Sequence, residues 1–280
     1  MDRRRTLVVA LAASLLAAGA FAAAAGAARI VYSHVGLYGL RTVEPDGTGA
    51  RKLTKKKDWE PQWSPDRKQV LFDRCYSTAP SAEYDVCAMY VTAAAGGDAH
   101  VVRRDAGAGT WSPDGKRLAW DSGYRVYIGR ADGSHAHRLW RGHHFGGDPA
   151  WSGPANRIAY TLYILDGPYI ERAAVHIIKP DGYSDRLVTR DGYGADWSPD
   201  GGRLVYYREH SGLCIIRPDG THRHCLHVGE PFDRPAAWSP DGRWIAYTSG
   251  TGCHAGYAIY KIRPDGTGRK RVACGSEPDW

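Results

Sequence analysis

The sequence has no Cys-x-x-Cys pair, no Gly-x-Ser-x-Gly pentapeptide and no His-Glu-x-x-His segment. The first absence removes the common thiolate spacing for zinc. The second removes the nucleophile elbow of an α/β-hydrolase, and the third removes the helical metalloprotease site. No segment shows the apolar periodicity of a helix that could carry such a site. Basic residues never gather beyond Lys55-Lys56-Lys57, although the 280-residue chain has a formal net charge of +7. Three lysines in a row read as a solvated turn, so nucleic acid is excluded as a partner.

The first residues, Met1-Asp2-Arg3-Arg4-Arg5, are followed by an apolar run from Leu7 to Ala25 and by small residues up to Ala28. A basic start, an apolar middle and a small-residue end predict an export signal over residues 1–28. Ala25-Gly26-Ala27 or Gly26-Ala27-Ala28 suits cleavage. A retained anchor is the alternative, because the run approaches the ~20 residues that cross a bilayer. No cysteine follows the run, which argues against a lipid anchor. Without residues 1–28 the net charge is +5, and all six cysteines remain. In an oxidising compartment they read as disulfides within repeats: Cys75 with Cys87, Cys214 with Cys225, and Cys253 with Cys274.

Regularity is what the chain has in abundance. Trp63, Trp111, Trp151, Trp197, Trp238 and Trp280 recur every 40–48 residues. Four of them open a Trp-Ser-Pro-Asp turn, at Asp66, Asp114, Asp200 and Asp241, and Trp151 opens the degenerate Ser152-Gly153-Pro154. Each turn leads into a four-residue strand. Arg29-Ile30-Val31-Tyr32, Arg117-Leu118-Ala119-Trp120 and Arg203-Leu204-Val205-Tyr206 are examples. Its two middle positions are apolar, which predicts burial on both faces, and its last position is aromatic in every copy. A further strand runs into an Asp-Gly turn such as Pro218-Asp219-Gly220, where Pro fixes φ and Gly accepts positive φ. The unit is a four-stranded antiparallel sheet that cannot bury a core alone.

Phase decides how the units assemble. After residue 28 the chain opens on a second strand, Arg29–Tyr32. It ends on a lone first strand, Glu277-Pro278-Asp279-Trp280. A solenoid would leave both as unpaired edges, whereas a ring uses both. The fold expected over residues 29–280 is an all-β, six-bladed β-propeller closed by pairing of the N- and C-terminal strands.

The Trp-Ser-Pro-Asp-Gly turn followed by an Arg-Leu-Ala-Tyr-type strand resembles the WD40-like PD40 repeat of TolB-type propellers, across residues 29–280. Asp66-Arg67, where glycine is missing, and Ser152-Gly153-Pro154-Ala155 depart from the pattern. The resemblance implies an exported interaction module without the small domain that precedes the propeller in TolB. It implies no hydrolase domain of the prolyl-oligopeptidase kind either. Similar propellers include oligogalacturonate lyases, with a histidine-held metal and an arginine-rich pocket. A polysaccharide-active enzyme is therefore one alternative, and a surface protein without a discrete site is another.

In a four-stranded blade the turns between strands one and two and between three and four share one face, and here they are short. The opposite face carries the long connections 73–83, 161–172, 248–256, 141–148 and 227–235, where binding is expected. Glu60, Asp148, Asp196, Glu277 and Asp279 stand just before the tryptophans, with Asp58 and Asp233 further back. Around a central funnel they would create a negative potential that could hold a divalent cation or the amino or guanidinium group of a peptide. The same residues could instead cap the start of a strand. His34, His143, His144, His210, His227 and His254 fall in loops of this face, beside Arg234 and the aromatics Tyr124, Phe145, Tyr169 and Phe232. The motif aspartates and tryptophans are expected to hold turns and wedge blades. No cofactor is predicted. The expected partner of this monomer is an envelope or secreted protein or peptide, with no membrane span once the signal is removed.

Overall fold

The computed structural model describes residues 28–34, 38–76, 86–140, 145–166, 169–209, 211–226, 228, 235–253 and 256–280. The segment expected to be an export signal, residues 1–28, lies outside the described residues apart from Ala28. No helix among the described residues is long and apolar enough to cross a membrane.

Every described regular element is a strand. Blade 1 holds β1 (Ile30–Ser33), β2 (Leu40–Val43) and β3 (Arg51–Lys52). Blade 2 holds β4 (Asp58–Trp63), β5 (Gln69–Tyr76), β6 (Val86–Ala93) and β7 (His100–Arg104). Blade 3 follows with β8 (Gly107–Trp111), β9 (Arg117–Asp121), β10 (Val126–Arg130) and β11 (His137–Arg138). Blade 4 is β12 (Phe145–Trp151), β13 (Ile158–Asp166), β14 (Tyr169–Ile178) and β15 (Arg186–Thr189). Blade 5 is β16 (Tyr193–Trp197), β17 (Leu204–Arg208), β18 (Gly212–Ile216) and β19 (His224–Cys225). Blade 6 is β20 (Ala237–Trp238), β21 (Ile245–Ser249), β22 (Ala258–Ile262) and β23 (Lys270–Cys274). The last strand, β24 (Ser276–Asp279), pairs antiparallel with β1 and completes blade 1. The ring is closed as the phase of the repeat requires.

The second strand of each blade is the anchor. Both middle residues of all six copies, from Ile30 and Val31 to Ile245 and Ala246, are 0% exposed. They pack against neighbouring blades on both sides, so burial supplies no polar face and the alternation of an ordinary half-buried strand is absent. The aromatic that follows them (Tyr32, Phe72, Trp120, Tyr160, Tyr206, Tyr247) is buried as well. The period tryptophans wedge between blades: the indole N–H of Trp63 donates to Arg29 O at 3.1 Å, and that of Trp197 to Ala150 O at 3.1 Å. In the turns, Ser64 Oγ donates to Asp66 Oδ1 and accepts from Gln69 N. Ser112, Ser198 and Ser239 repeat the arrangement with Asp114, Asp200 and Asp241. Those aspartates are turn holders, as expected. Where glycine is missing, Arg67 adopts φ +57°, a left-handed conformation unfavourable for arginine. Its guanidinium lies 4.5 Å from the Trp63 ring and donates to Arg29 O at 2.6 Å, which offsets that cost.

All three disulfides form as paired in sequence, and two of them join facing residues, Cys75 with Cys87 on β5 and β6 and Cys214 with Cys225 on β18 and β19. One expectation fails. The 161–172 segment is not a long loop but a projecting hairpin, because β13 and β14 stay paired out to Asp166 and Tyr169. Its residues (Leu162, Tyr163, Ile164, Leu165, Ile170) are of the β-branched, leucine and aromatic kind that keeps a ladder going.

Removing Ser276–Trp280 strips β1 of its inner partner and exposes a sheet edge. We expect loss of a single cooperative unfolding transition, followed by circular dichroism, together with aggregation on size exclusion. A sharp transition unchanged in Tm would contradict a ring closed by these residues.

Candidate functional site

The inner strands do more than line the axis. Each carries a bulge just before its tryptophan in blades 1 to 5. The residue three before the tryptophan takes positive φ there: Glu277 +54°, Glu60 +50°, Ala108 +45°, Asp148 +48° and Gly194 +58°. This bend turns its N–H toward the preceding blade, where a side chain accepts it. Asp73 Oδ2 takes Ala108 N at 2.8 Å, Thr161 Oγ1 takes Gly194 N at 3.0 Å, and Thr248 Oγ1 takes Glu277 N at 3.0 Å. Asp121 accepts from Asp148 N. Between blades 1 and 2 the short Ser33 delegates the role: its hydroxyl donates to Glu277 Oε2 at 2.8 Å, and that oxygen accepts Glu60 N at 3.0 Å. The acceptor is always tied to the residue directly after the buried aromatic of the second strand. Only blade 6 breaks the pattern, because Pro235 occupies the position and has no N–H to offer.

Two tiers of carboxylates result. Glu60, Asp148 and Glu277 form the tier toward the long-connection face, and the clasps bring Asp73 and Asp121 into it. Burial and the charges of Asp73, Glu277, Asp148 and Asp121 push Glu60 well above the usual carboxylate range. Burial also raises Asp73 strongly, helped by Asp121 and Glu277 and opposed by the Ala108 N–H. Asp121 is pushed up to about 7 by burial and by Asp148. Tyr163 donates to Asp148 Oδ2 at 2.7 Å, and burial with that neighbouring charge raises its phenol. The second tier, directly before the tryptophans, is Asp196 and Asp279. They accept from Trp238 N at 2.9 Å and Trp63 N at 2.7 Å, and burial raises them to about 7 and about 6. These two therefore hold the next blade. Asp58 is buried in a bidentate pair with Arg74, at 2.6 and 3.0 Å, and is structural too.

Between these tiers the axis is lined by small residues such as Gly109, Ala150, Ala195 and Ala237, and its cavity is about 50 Å³. That admits a few water molecules and no side chain of a partner. Open space lies on both sides of it: a depression of about 1150 Å³ at the tryptophan end, lined by Trp63, Trp111, Trp151 and Trp280, and a cleft on the long-connection face. This cleft, of about 700 Å³, opens beside blades 4 and 5, with Glu60 and Asp148 at its floor and Arg172, Arg190 and Arg208 in its walls. Tyr124, Phe145 and Tyr163 meet edge to face nearby, with ring centroids 6.5 and 6.2 Å from Tyr124. Arg208 Nε contacts Asp191 Oδ2 at 2.6 Å.

Of the acids singled out in the sequence, the structure brings Glu60, Asp148 and Glu277 together and sets Asp196 and Asp279 in a lower tier. The sequence did not single out Asp73 or Asp121. Their signal was the position after the strand-two aromatic, occupied in turn by Ser33, Asp73, Asp121, Thr161, Tyr207 and Thr248. His143, His144, His210, His227, His254, Phe232, Asp233 and Arg234 lie outside the described residues, as does the Tyr169 side chain. His34 ends β1 on the long-connection face. Among the described residues no three His, Cys, Asp or Glu side chains approach as metal ligands would.

No family model matches the sequence, and no curated protein is significantly similar to it. Solved structures do match. TolB from Acinetobacter baumannii superposes with a TM-score of 0.74 at 18% identity, over 90% of this chain and 66% of that one. The fold is a TolB-type six-bladed β-propeller. The chain thus spans about two thirds of that TolB. A chain of a nidogen/laminin complex matches with a TM-score of 0.70 at 11% identity, covering 90% of this chain and 97% of its own length. An oligogalacturonate lyase in complex with manganese matches at 0.53 and 13% identity, over 87% and 72%. At such identities the likeness concerns architecture.

The raised carboxylates make stability pH-dependent. A carboxyl that titrates near 7 when folded and near 4 when unfolded keeps its proton only in the folded state between those values, so stability falls as pH rises from about 4 to 7. We expect Tm to decline across this window. Asp121→Asn keeps an acceptor for Asp148 N and removes the charge, so it should stabilise the protein by about 2 kcal/mol at pH 8 and much less at pH 4. Equal Tm for both proteins at pH 8 would refute the burial of a proton at Asp121.

Proposed function

We propose that this protein is an exported propeller that binds a protein partner through its long-connection face. One observation carries the reading: the connections between the second and third strands expose large apolar side chains on that face in three or more blades. Tyr38 in blade 1 is 49% exposed, Tyr124 in blade 3 is 61%, and Ile170 in blade 4 is 50%. Tyr76, Ile164 and Leu165 join them from blades 2 and 4. Tyrosine on a rigid turn offers large contact area at small entropic cost, and such residues dominate the energetics of protein interfaces. Ile170 also lines the cleft, so the apolar residues and the polar floor share one face.

Export is supported by the sequence pattern of residues 1–28 and by three disulfides, which persist in oxidising compartments. The reading is supported by the shared architecture of a chain from a nidogen/laminin complex. The ligand expected for the acidic tier from sequence, a cation or an amino group, shifts outward on this reading. The axial cavity is too small for a peptide, and Glu60 and Asp148 face the cleft instead.

The test is chemical crosslinking on intact cells followed by affinity capture of the mature protein. Capture of a discrete envelope or secreted partner is expected. Tyr38→Ser with Tyr124→Ser should weaken that capture at least tenfold, with Tm lowered only slightly because the two rings give up exposed contacts, Tyr124 with Phe145 and Tyr163 and Tyr38 with Lys57. Full capture by the double variant would remove the exposed apolar residues from the account.

A further inference from the structure

Among the described residues, the projecting hairpin of blade 4 leaves a strand edge without a neighbour. On one side, β12 accompanies β13 only as far as the pair Phe145 with Tyr163. On the other, β15 pairs with β14 only at Val175, His176 and Ile177, and Gly192 N adds a single bond to Ala173 O at 3.0 Å. Beyond Ala173 no described strand lies along the outer edge of residues 169–172. A bulge falls there as well, since Ile164 faces Arg172 while Leu165 faces Ile170, so one extra residue bends the edge. Proteins usually cover such an edge with a helix or loop, and among the described residues only the bulge and the charged residues Glu171 and Arg172 guard it, with no lysine and no proline among residues 169–172.

This bare edge is a wall of the 700 Å³ cleft, which Ile170, Arg172 and Ala173 line from β14. Arg190 stands in the facing wall. Arg208 beside it is already engaged by Asp191 at 2.6 Å and by Ser211 Oγ at 2.9 Å. The exposed Arg190 side chain, in contrast, makes no ion pair or hydrogen bond with any described residue. Backbone donors and acceptors, an exposed isoleucine and an unengaged guanidinium therefore converge on one elongated space. Four residues of strand extend about 13 Å.

Resting on the docking reading above, we infer that an acidic, extended segment of the partner pairs as an added strand with residues 169–172 and places a carboxylate on Arg190. Main-chain hydrogen bonds supply the attachment, and alternate side chains supply the selection, one toward Ile170 and one toward arginine. A cationic segment would meet the Arg190 guanidinium and be repelled, since Arg208 is held by Asp191. The four described carboxylates of the cleft do not reverse this preference, because Glu60 is pressed toward its neutral form, Asp148 is bonded to Tyr163, Asp191 is paired with Arg208 and Arg223, and Glu209 is engaged as well.

The test uses the full disulfide-bonded protein and a fluorescein-labelled eight-residue peptide alternating aspartate and valine, read by anisotropy. Saturable binding is expected, weakened at least tenfold by Arg190→Glu and by raising the salt from 50 to 300 mM. The lysine–valine counterpart should not bind. A peptide methylated on its alternate backbone nitrogens leaves the protein untouched and should lose binding. Equal affinity for the methylated peptide would overturn strand addition. Polygalacturonate that binds more tightly than the peptide and is equally lost in Arg190→Glu would assign the cleft to an acidic sugar polymer and overturn the inference. So would concentration-dependent self-association that excludes the peptide, since the edge would then serve a second copy. Partner capture that depends on Tyr38 and Tyr124 while no acidic peptide binds would refute this edge and leave the docking face standing.

Discussion

Six flat sheets cannot meet at one axis unless each inner strand bends as it reaches the centre. Here the bend is made at the residue three before the tryptophan, which takes a left-handed conformation in five blades. The cost, on the order of 1 kcal/mol or more for a side chain other than glycine, is offset because the bend delivers an N–H to the previous blade. One backbone feature thus links the local turn, the seam between sheets and the geometry of the channel mouth. Blade 6 lacks it, and there the seam relies on the bond from Trp238 N to Asp196 and on apolar packing. Tyr207, Leu213, Val228, Ala236 and Trp238 form the inter-blade cluster in its place.

The acceptor at each seam need not be charged. Thr161 and Thr248 do the work with a hydroxyl, whereas Asp73 and Asp121 do it with a carboxylate beside Glu60, Asp148 and Glu277. Concentrating acids on the blade 1–4 side raises several of them and keeps protons buried near neutral pH. The same arrangement sets a polar floor beneath the cleft, asymmetric around the ring. The arginines lie toward blades 4 and 5, so the surface is polarised across its own mouth rather than uniformly acidic.

Much of the architecture was legible because each element follows from local chemistry. The tryptophan period, the doubly apolar strand and the Asp-Gly turns each specify one strand or one turn, and the phase of Arg29–Tyr32 and Glu277–Trp280 specifies closure. The disulfides were legible since Cys214 and Cys225 flank a turn symmetrically. The candidate site was half legible. Glu60, Asp148 and Glu277 share one motif position, so alignment of repeats groups them. Asp73 and Asp121 sit on a different strand and join the group only through a hydrogen bond that crosses a seam. The 161–172 segment was misread as loop because length alone cannot separate an extended hairpin from an irregular connection.

The sequence by itself determined the number of blades, the pairing inside each and the identity of the closing strands, because burial and turn geometry act within forty-odd residues. Tertiary structure alone decided which acids are neighbours, how narrow the axis is and which residues of blades 4 and 5 line the cleft. Those properties arise between blades, where residues far apart in the chain share one dielectric environment and one cavity. No local pattern encodes that.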